Sequence, residues 1–247
     1  MNIPFRIDKK IEKLIDRLET EYNRKVDIEI EKREESHHGE SRIESKQLKI
    51  IISDKIEDKN ELLLHELMHF DIKLLGVPNR IVWSIPNDNK REENITYLIW
   101  FRGQVWDKIH HHYFYPIMKA VYDVNPFSIV ENELNSIFEK EEIPGLKEAT
   151  KRIALATKYL QTYVETEDDN YLRRLKSLLT KKYDGVGVSE GEELIKLFKT
   201  NNFKSVDTFV PLIIKCFNYL HHPTEIKRHE IKDTNEYKNS NDVYFFF

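Results

Sequence analysis

The sequence predicts a helix-dominated α+β fold, with a small sheet near the N-terminus. Apolar residues recur at intervals of three and four through most of the 247 residues, which is the pattern of amphipathic helices. One short segment instead alternates apolar and polar residues, as half-buried strands do, and a second, mostly apolar segment also predicts a strand. Only seven glycines occur in the chain, and so few favour long regular elements over loops.

The first elements along the chain are a helix and two strands. Five apolar residues at helical spacing predict an amphipathic helix over residues 6–23. They are Ile7, Ile11, Leu14, Ile15 and Leu18. Alternation of apolar and acidic residues predicts a strand over 25–32, and a second apolar segment predicts another over 47–53. The polar stretch 33–45 is predicted to be the loop that joins them.

The pentad His65-Glu66-Leu67-Met68-His69 follows these strands inside an apolar helical segment. Asp58 to Glu61 has the D-x-x-E form of a helix capping box, so the helix is predicted to begin there. Residues four apart lie on one face of a helix about one turn apart. The two imidazoles of an H-E-x-x-H pentad can therefore bind one metal ion, with Glu66 beside them.

The chemistry of such a pair favours Zn²⁺. Two histidines, a third protein ligand and a water complete a tetrahedral zinc, which lowers the pKa of the water to about 7. Glu66 can then act as the general base that takes the proton. The chain has one cysteine, Cys216, so the ligands must be histidines and carboxylates.

The order helix, strand, strand, H-E-x-x-H helix is that of a minimal zincin core, and the chain resembles small prokaryotic zincin-like metallopeptidases over roughly residues 6–120. The resemblance implies that the strand before the motif helix, residues 47–53, lies at the rim of the cleft. Its free edge would pair with an extended peptide substrate. The alternative is that the chain's own C-terminus, residues 243–247, covers this edge.

The third ligand is expected on a long helical stretch from Asn89 to Tyr122. His111 is the preferred candidate, because Asp107 lies one turn earlier on the same face and can hold the second N–H of the imidazole. This segment also looks like the N-x-x-E-H pattern of small H-E-L-x-H proteins, with Asp107 and His110 as departures from it.

Glu93 is the alternative third ligand, since its spacing from His69 is similar to that in the glutamate-ligand zincins. Glu93 and His111 would lie about 27 Å apart on a straight helix, so both cannot bind one ion. Glu92, His110 and His112 also stay open as ligands. His37 and His38 are left out of the site, because paired histidines beside a glycine are typical of a solvated turn.

Beyond the third ligand, Pro116 is expected to kink its helix. Tyr113 and Tyr115 near this kink are expected to serve packing, and the alternative is that one of them stabilises a developing oxyanion. From Asn125 onward the periodicity predicts helices over 129–138, 146–163, 171–179, 190–198 and 206–220. Ser189 to Glu192 has the form of a capping box for the fourth of these.

We therefore predict a zincin-like catalytic core over residues 1–122 and a helical region over 123–247. The helices buttress the cleft or bind a partner protein. The apolar tail 243–247 is expected to pair with the sheet or pack among the helices; docking of a partner or self-inhibition by the tail is the alternative.

Composition limits the partners and the location. Charged residues make up 33% of the chain, yet the net charge is only -4, so neither a nucleic acid nor a membrane is an expected partner. No signal peptide or membrane span is apparent, which predicts a cytoplasmic protein. The predicted function is a zinc metallopeptidase that acts on a peptide or protein substrate. The alternative is a non-catalytic regulatory or scaffold protein stapled by zinc.

Overall fold

A computed structural model describes residues 5–32, 39–75, 81–85, 92, 101–166, 168–201, 208–220, 227–230 and 243–246. The described fold is α+β and helix-dominated, as predicted. Contacts between residues group the chain into two compact units. The first comprises Met1–Gly76 and Tyr113–Ser128, and the second Val77–His112 and Ile129–Phe247. The boundary predicted between residues 122 and 123 stays a prediction.

The first unit begins with the predicted helix and strands. Its elements are α1 (Lys9–Tyr22), β1 (Lys25–Glu31), β2 (Gly39–Ile43), β3 (Gln47–Ser53) and α2 (Lys59–Leu74). The helix and the two strands predicted before the motif are confirmed, but the assignment of all of 33–45 to a loop is wrong. Strand β2 escapes a pattern search because its residues are partly exposed on both faces, so apolar and polar positions do not alternate.

The sheet of the first unit has the strand order β1-β3-β2. Strand β3 runs parallel to β1 and antiparallel to β2. It is therefore the central strand, and the expectation that residues 47–53 offer a free edge is wrong. The outer strand on that side is β2, whose pairing runs from Gly39 opposite Ile52 to Ile43 opposite Leu48.

The core of the first unit holds α2 in place. Leu48, Ile50 and Ile52 of β3 are fully buried and belong to the same apolar cluster as the inner faces of α1 and α2. The Tyr22 hydroxyl donates to the Phe70 carbonyl over 2.9 Å, which fixes α1 against α2. The side chain of Asp58 accepts hydrogen bonds from the backbone N–H groups of Asn60 and Glu61, so the predicted N-cap of α2 is confirmed.

Helix α3 (Asp107–Tyr122) follows a short π-helical segment, Arg102–Trp106. The division between the two units falls inside this one continuous helix, after His112. Phe114, Tyr115 and Met118, which follow this division, are buried in the core of the first unit. The helix runs through Pro116, and the kink expected there stays a prediction.

The second unit is built mainly from helices. They are α4 (Ser128–Lys140), α5 (Lys151–Val164), α6 (Asp169–Tyr183), α7 (Val188–Thr200) and α8 (Phe209–Leu220), with the start of α4 at the edge of the first unit. Each of the five predicted helical segments overlaps one of these helices, although residues 206 and 207 lie outside the described part of the chain. No helix in the described part of the chain is long and apolar enough to span a membrane.

A second sheet contains the C-terminal tail. Its strands are β4 (Ile81–Ile85), β5 (Lys227–Glu230) and β6 (Val243–Phe246), in the order β5-β4-β6 with antiparallel pairing. The tail thus pairs with a sheet, as expected, but its partner is β4. The alternative in which it covers the edge of strand 47–53 is therefore wrong.

Candidate metal centre

Helix α2 presents His65 and His69 on one face. Their Nε2 atoms lie 3.3 Å apart, and the ring centroids are separated by 5.0 Å. Both rings make edge contacts with Phe114 of α3, at 5.4 and 5.1 Å between centroids. This fully buried ring limits how far either imidazole can turn.

The separation of the two nitrogens fits a shared zinc ion. Zinc binds imidazole nitrogen at about 2.0–2.1 Å in a tetrahedron, so two such nitrogens stand roughly 3.3 Å apart. The observed separation of the Nε2 atoms is 3.3 Å. The separation of the two nitrogens therefore matches that of two ligands of one zinc ion.

His111 lies on α3, one helical turn before Tyr115, whose ring packs 5.8 Å from that of His65. Its own side chain is buried, at 7% exposure. His65, His69 and His111 each offer a nitrogen, and these atoms lie within 4.8 Å of one another. In the described part of the chain, these three form the single group of His, Cys, Asp or Glu side chains with this ligand spacing.

The neighbouring histidines of α3 meet other surroundings. His110 packs on Trp106 and Phe209, and His112 packs between Tyr163 and Phe198. Burial lowers the pKa of His112 to about 4, so this imidazole is neutral near pH 7. The histidine run is thus not a solvated surface cluster, and each of its members faces a different neighbour.

The partner of His111 is Glu165, a residue that the sequence did not indicate. The Nδ1 atom of His111 makes a short hydrogen bond with Glu165 Oε1, so Nε2 is the nitrogen that can face a metal. Burial opposes ionisation of Glu165, but the adjacent Lys108 and His111 hold its pKa well below the usual range. An ionised carboxylate on the second nitrogen of a histidine ligand is the usual arrangement in zinc sites.

Glu66 is almost fully buried, at 6% exposure. Its carboxylate lies against Gly39, the first residue of the outer strand β2. A Cβ atom added at Gly39 would stand 2.5 Å from Glu66 Oε1 and 2.9 Å from Leu62 Cδ1. A larger residue at this position would therefore force the Glu66 carboxylate or the Leu62 side chain to move. The sequence showed Gly39 only as part of a predicted turn.

The remaining residues considered for the site are Glu92, Glu93, Asp107, Tyr113 and Tyr115. Glu93 lies outside the described residues, and Glu92 is exposed. The role of Asp107 beside His111 stays a prediction, because the carboxylate seen on Nδ1 is that of Glu165. Tyr115 is buried against His65 and Tyr113 is partly exposed. The alternative that one of them stabilises an oxyanion stays a prediction.

Comparisons with models of known protein families, with curated proteins and with solved structures find no match to this chain. The site must therefore be interpreted from its own geometry.

Proposed function

We propose that this protein is a zinc-dependent peptidase whose ligands are His65, His69 and His111. The observation that carries the proposal is the 3.3 Å separation of the two Nε2 atoms on α2, with a third histidine nitrogen within 4.8 Å. Three protein nitrogens leave the fourth position of a tetrahedral zinc open, as in catalytic sites. Bound zinc would polarise the scissile carbonyl and make a water more acidic.

Glu66 is the proposed general base. It follows His65 directly on α2, and its carboxylate is buried against the glycine of β2. In this position it would take a proton from the attacking water and later give it to the leaving amine. A site that served only as a staple would close its fourth position with another protein ligand and would have no use for such a base.

An extended peptide substrate would pair with β2. This is the outer strand beside β3 in the described part of the chain, and its first residue borders Glu66. The outer edge of a strand offers backbone N–H and C=O groups to an added peptide strand. A substrate bound this way would pass beside the general base.

The first test is the variant Glu66→Gln, assayed for bound zinc and for cleavage of a peptide library. We expect zinc content at the wild-type level and turnover reduced by about 100-fold or more, as for loss of a general base. His65→Ala should lose both zinc and turnover. Wild-type turnover in Glu66→Gln would refute the peptidase. Zinc binding without turnover in the wild type would favour the zinc-stapled regulatory or scaffold protein.

A second test identifies the third ligand by zinc affinity. His111→Ala should bind zinc far more weakly than wild type. His112→Gln is the matched control, because it changes the next histidine on the same helix, which packs on Tyr163 and Phe198. Wild-type zinc affinity in both His111→Ala and His112→Gln would remove His111 from the site. Weak binding in Glu93→Ala would then make Glu93 the ligand.

A further inference from the structure

The carboxylate of Glu165 is held on both of its oxygens. Lys108 Nζ donates to Oε1 over 2.7 Å, the same oxygen that meets His111 Nδ1. Gln161 Nε2 donates to Oε2 over 2.7 Å. Rotation of the carboxylate would break at least one of these bonds. The orientation of Glu165, and with it that of the His111 ring, is therefore fixed by Lys108 and Gln161.

The same hydrogen-bonded chain continues toward the protein surface. Lys158 Nζ donates to Gln161 Oε1 over 3.1 Å and pairs with Glu133 Oε2 at 2.7 Å. Lys158 is buried along α5, whereas the side chain of Glu133 on α4 is 47% exposed. Side chains of α3, α4 and α5 thus form one polar network that begins at His111 and ends in solvent.

Such a network is a poor way to obtain stability alone. Burying a charged pair requires its desolvation, and apolar side chains of similar volume often stabilise a protein as well or better. The geometry gives orientation instead, because every bond in the network has a defined donor and acceptor. Residues that orient the outer nitrogen of a metal-binding histidine commonly change metal affinity by about 10- to 100-fold.

We propose that Lys108 and Gln161 are positioning residues that act through Glu165 on His111 and thereby set the zinc affinity of the site. The inference rests on the proposed zinc site, but it concerns metal binding and not peptide cleavage. Side chains on α3 and on α5 or at its C-terminal end then determine how tightly the site holds its ion.

The test is a double-mutant cycle on the full chain, with zinc affinity measured by competition with a chromophoric chelator. We expect Lys108→Met to weaken zinc binding by about 10-fold or more. In a Glu165→Gln background the same substitution should add less than about 2-fold, because its target is gone. Lys176→Met is the matched control, since it removes the 2.6 Å ion pair with Glu192 on the surface, and it should keep wild-type affinity.

Cobalt gives a readout that a merely structural role would not change. The visible spectrum of bound Co²⁺ should shift in Lys108→Met and stay as in wild type for Lys176→Met. If Lys108→Met does not fold, Gln161→Met decides, because its side chain is only half-buried and neutral. It should weaken zinc binding by roughly 3- to 10-fold.

The failures of the two proposals can be distinguished. Wild-type zinc affinity in Lys108→Met, or in Gln161→Met where that variant decides, overturns the positioning role while the zinc site stands. So does an equal effect of Lys108→Met with and without Glu165. Absence of zinc binding by the wild type, or wild-type affinity in His111→Ala, instead overturns the proposed site and the inference with it.

Discussion

Three consecutive histidines on α3 show how much of the site is decided by single residues. Successive side chains of a helix point about 100° apart, and here each points to different neighbours. His110 meets Trp106, His111 meets Glu165, and His112 meets Phe198. The three side chains are chemically identical, so their roles can be distinguished only by the residues that they contact. His111 has a carboxylate on Nδ1 and belongs to the group of three histidines whose nitrogens lie within 4.8 Å of one another.

Gly39 lies where an added side chain would disturb the proposed general base. Gly39→Ala would place a Cβ 2.5 Å from Glu66 Oε1, so the carboxylate or the strand must move. A displacement of about 1 Å can reduce a catalysed rate by about 100-fold. We expect kcat to fall by about 10- to 100-fold, with zinc affinity unchanged, because Gly39 lies against the base and not against a ligand. Steady-state kinetics and zinc titration measure both.

Gly191→Ala is the control for this substitution. It places a Cβ 2.6 Å from the Tyr159 ring in the second unit, an equally crowded position without contact to Glu66. Both variants should lose stability, but Gly191→Ala should keep its kcat per folded molecule. Equal kcat in the two variants would show that Gly39 serves packing alone.

The site residues that the sequence could predict are those that lie close together along the chain. His65, Glu66 and His69 lie within one helical turn of one another, so their spacing alone indicates a shared face. Glu165 lies 54 residues from His111, at the end of α5, and no periodic pattern marks it. Its role depends on the packing of two helices, which a single sequence does not display.

The first residue of α7 also could not be predicted from a local sequence motif. Ser189 to Glu192 has the form of a capping box, but that prediction is wrong, since α7 begins at Val188 with Gly187 as its N-cap. Gly187 has a φ of 81°, and a Cβ there would stand 2.7 Å from the Ala156 backbone nitrogen. Close packing against α5 thus determines where α7 begins. A capping motif in the local sequence does not reveal this packing.

The N-cap of α2 should contribute measurably to the free energy of unfolding. Asp58 accepts hydrogen bonds from two backbone N–H groups of the first turn, and such a cap contributes about 1 kcal/mol. Asp58→Ala should lower the free energy of unfolding by about 1 kcal/mol, measured in urea with an unchanged m-value. Asp168→Ala, which removes the cap of α6, is the matched control and should lower it by a similar amount.

A comparison of Asp58→Ala with Asp168→Ala distinguishes a loss of stability from an effect on the proposed zinc site. The motif begins about two turns after Asp58, and Glu61 in the first turn also binds the Ser128 hydroxyl, so the helix should keep its position. Zinc affinity should then be equal in the two variants. A loss of zinc in Asp58→Ala alone would mean that the first turn helps to place His65.

For the whole molecule, the proposed ligands join distant parts of the sequence. His65 and His69 lie on α2, and His111 lies on α3, in a later part of the sequence. An ion that binds only the folded chain stabilises it by mass action, by about 2.7 kcal/mol at a free concentration 100-fold above Kd. Zinc should therefore oppose unfolding, and this effect does not depend on catalysis.

Chemical labelling of Cys216 can report whether zinc opposes the opening of the second unit. It is the single cysteine of the chain and is fully buried on α8, where burial raises its pKa to about 12. A thiol reagent near pH 8 should therefore label it only when the second unit opens. Zinc at 100-fold above Kd should slow labelling by up to about 100-fold in the wild type and leave His111→Ala unaffected. An equal response in both proteins, or none in either, would show that His111 does not link zinc to the folding of this unit.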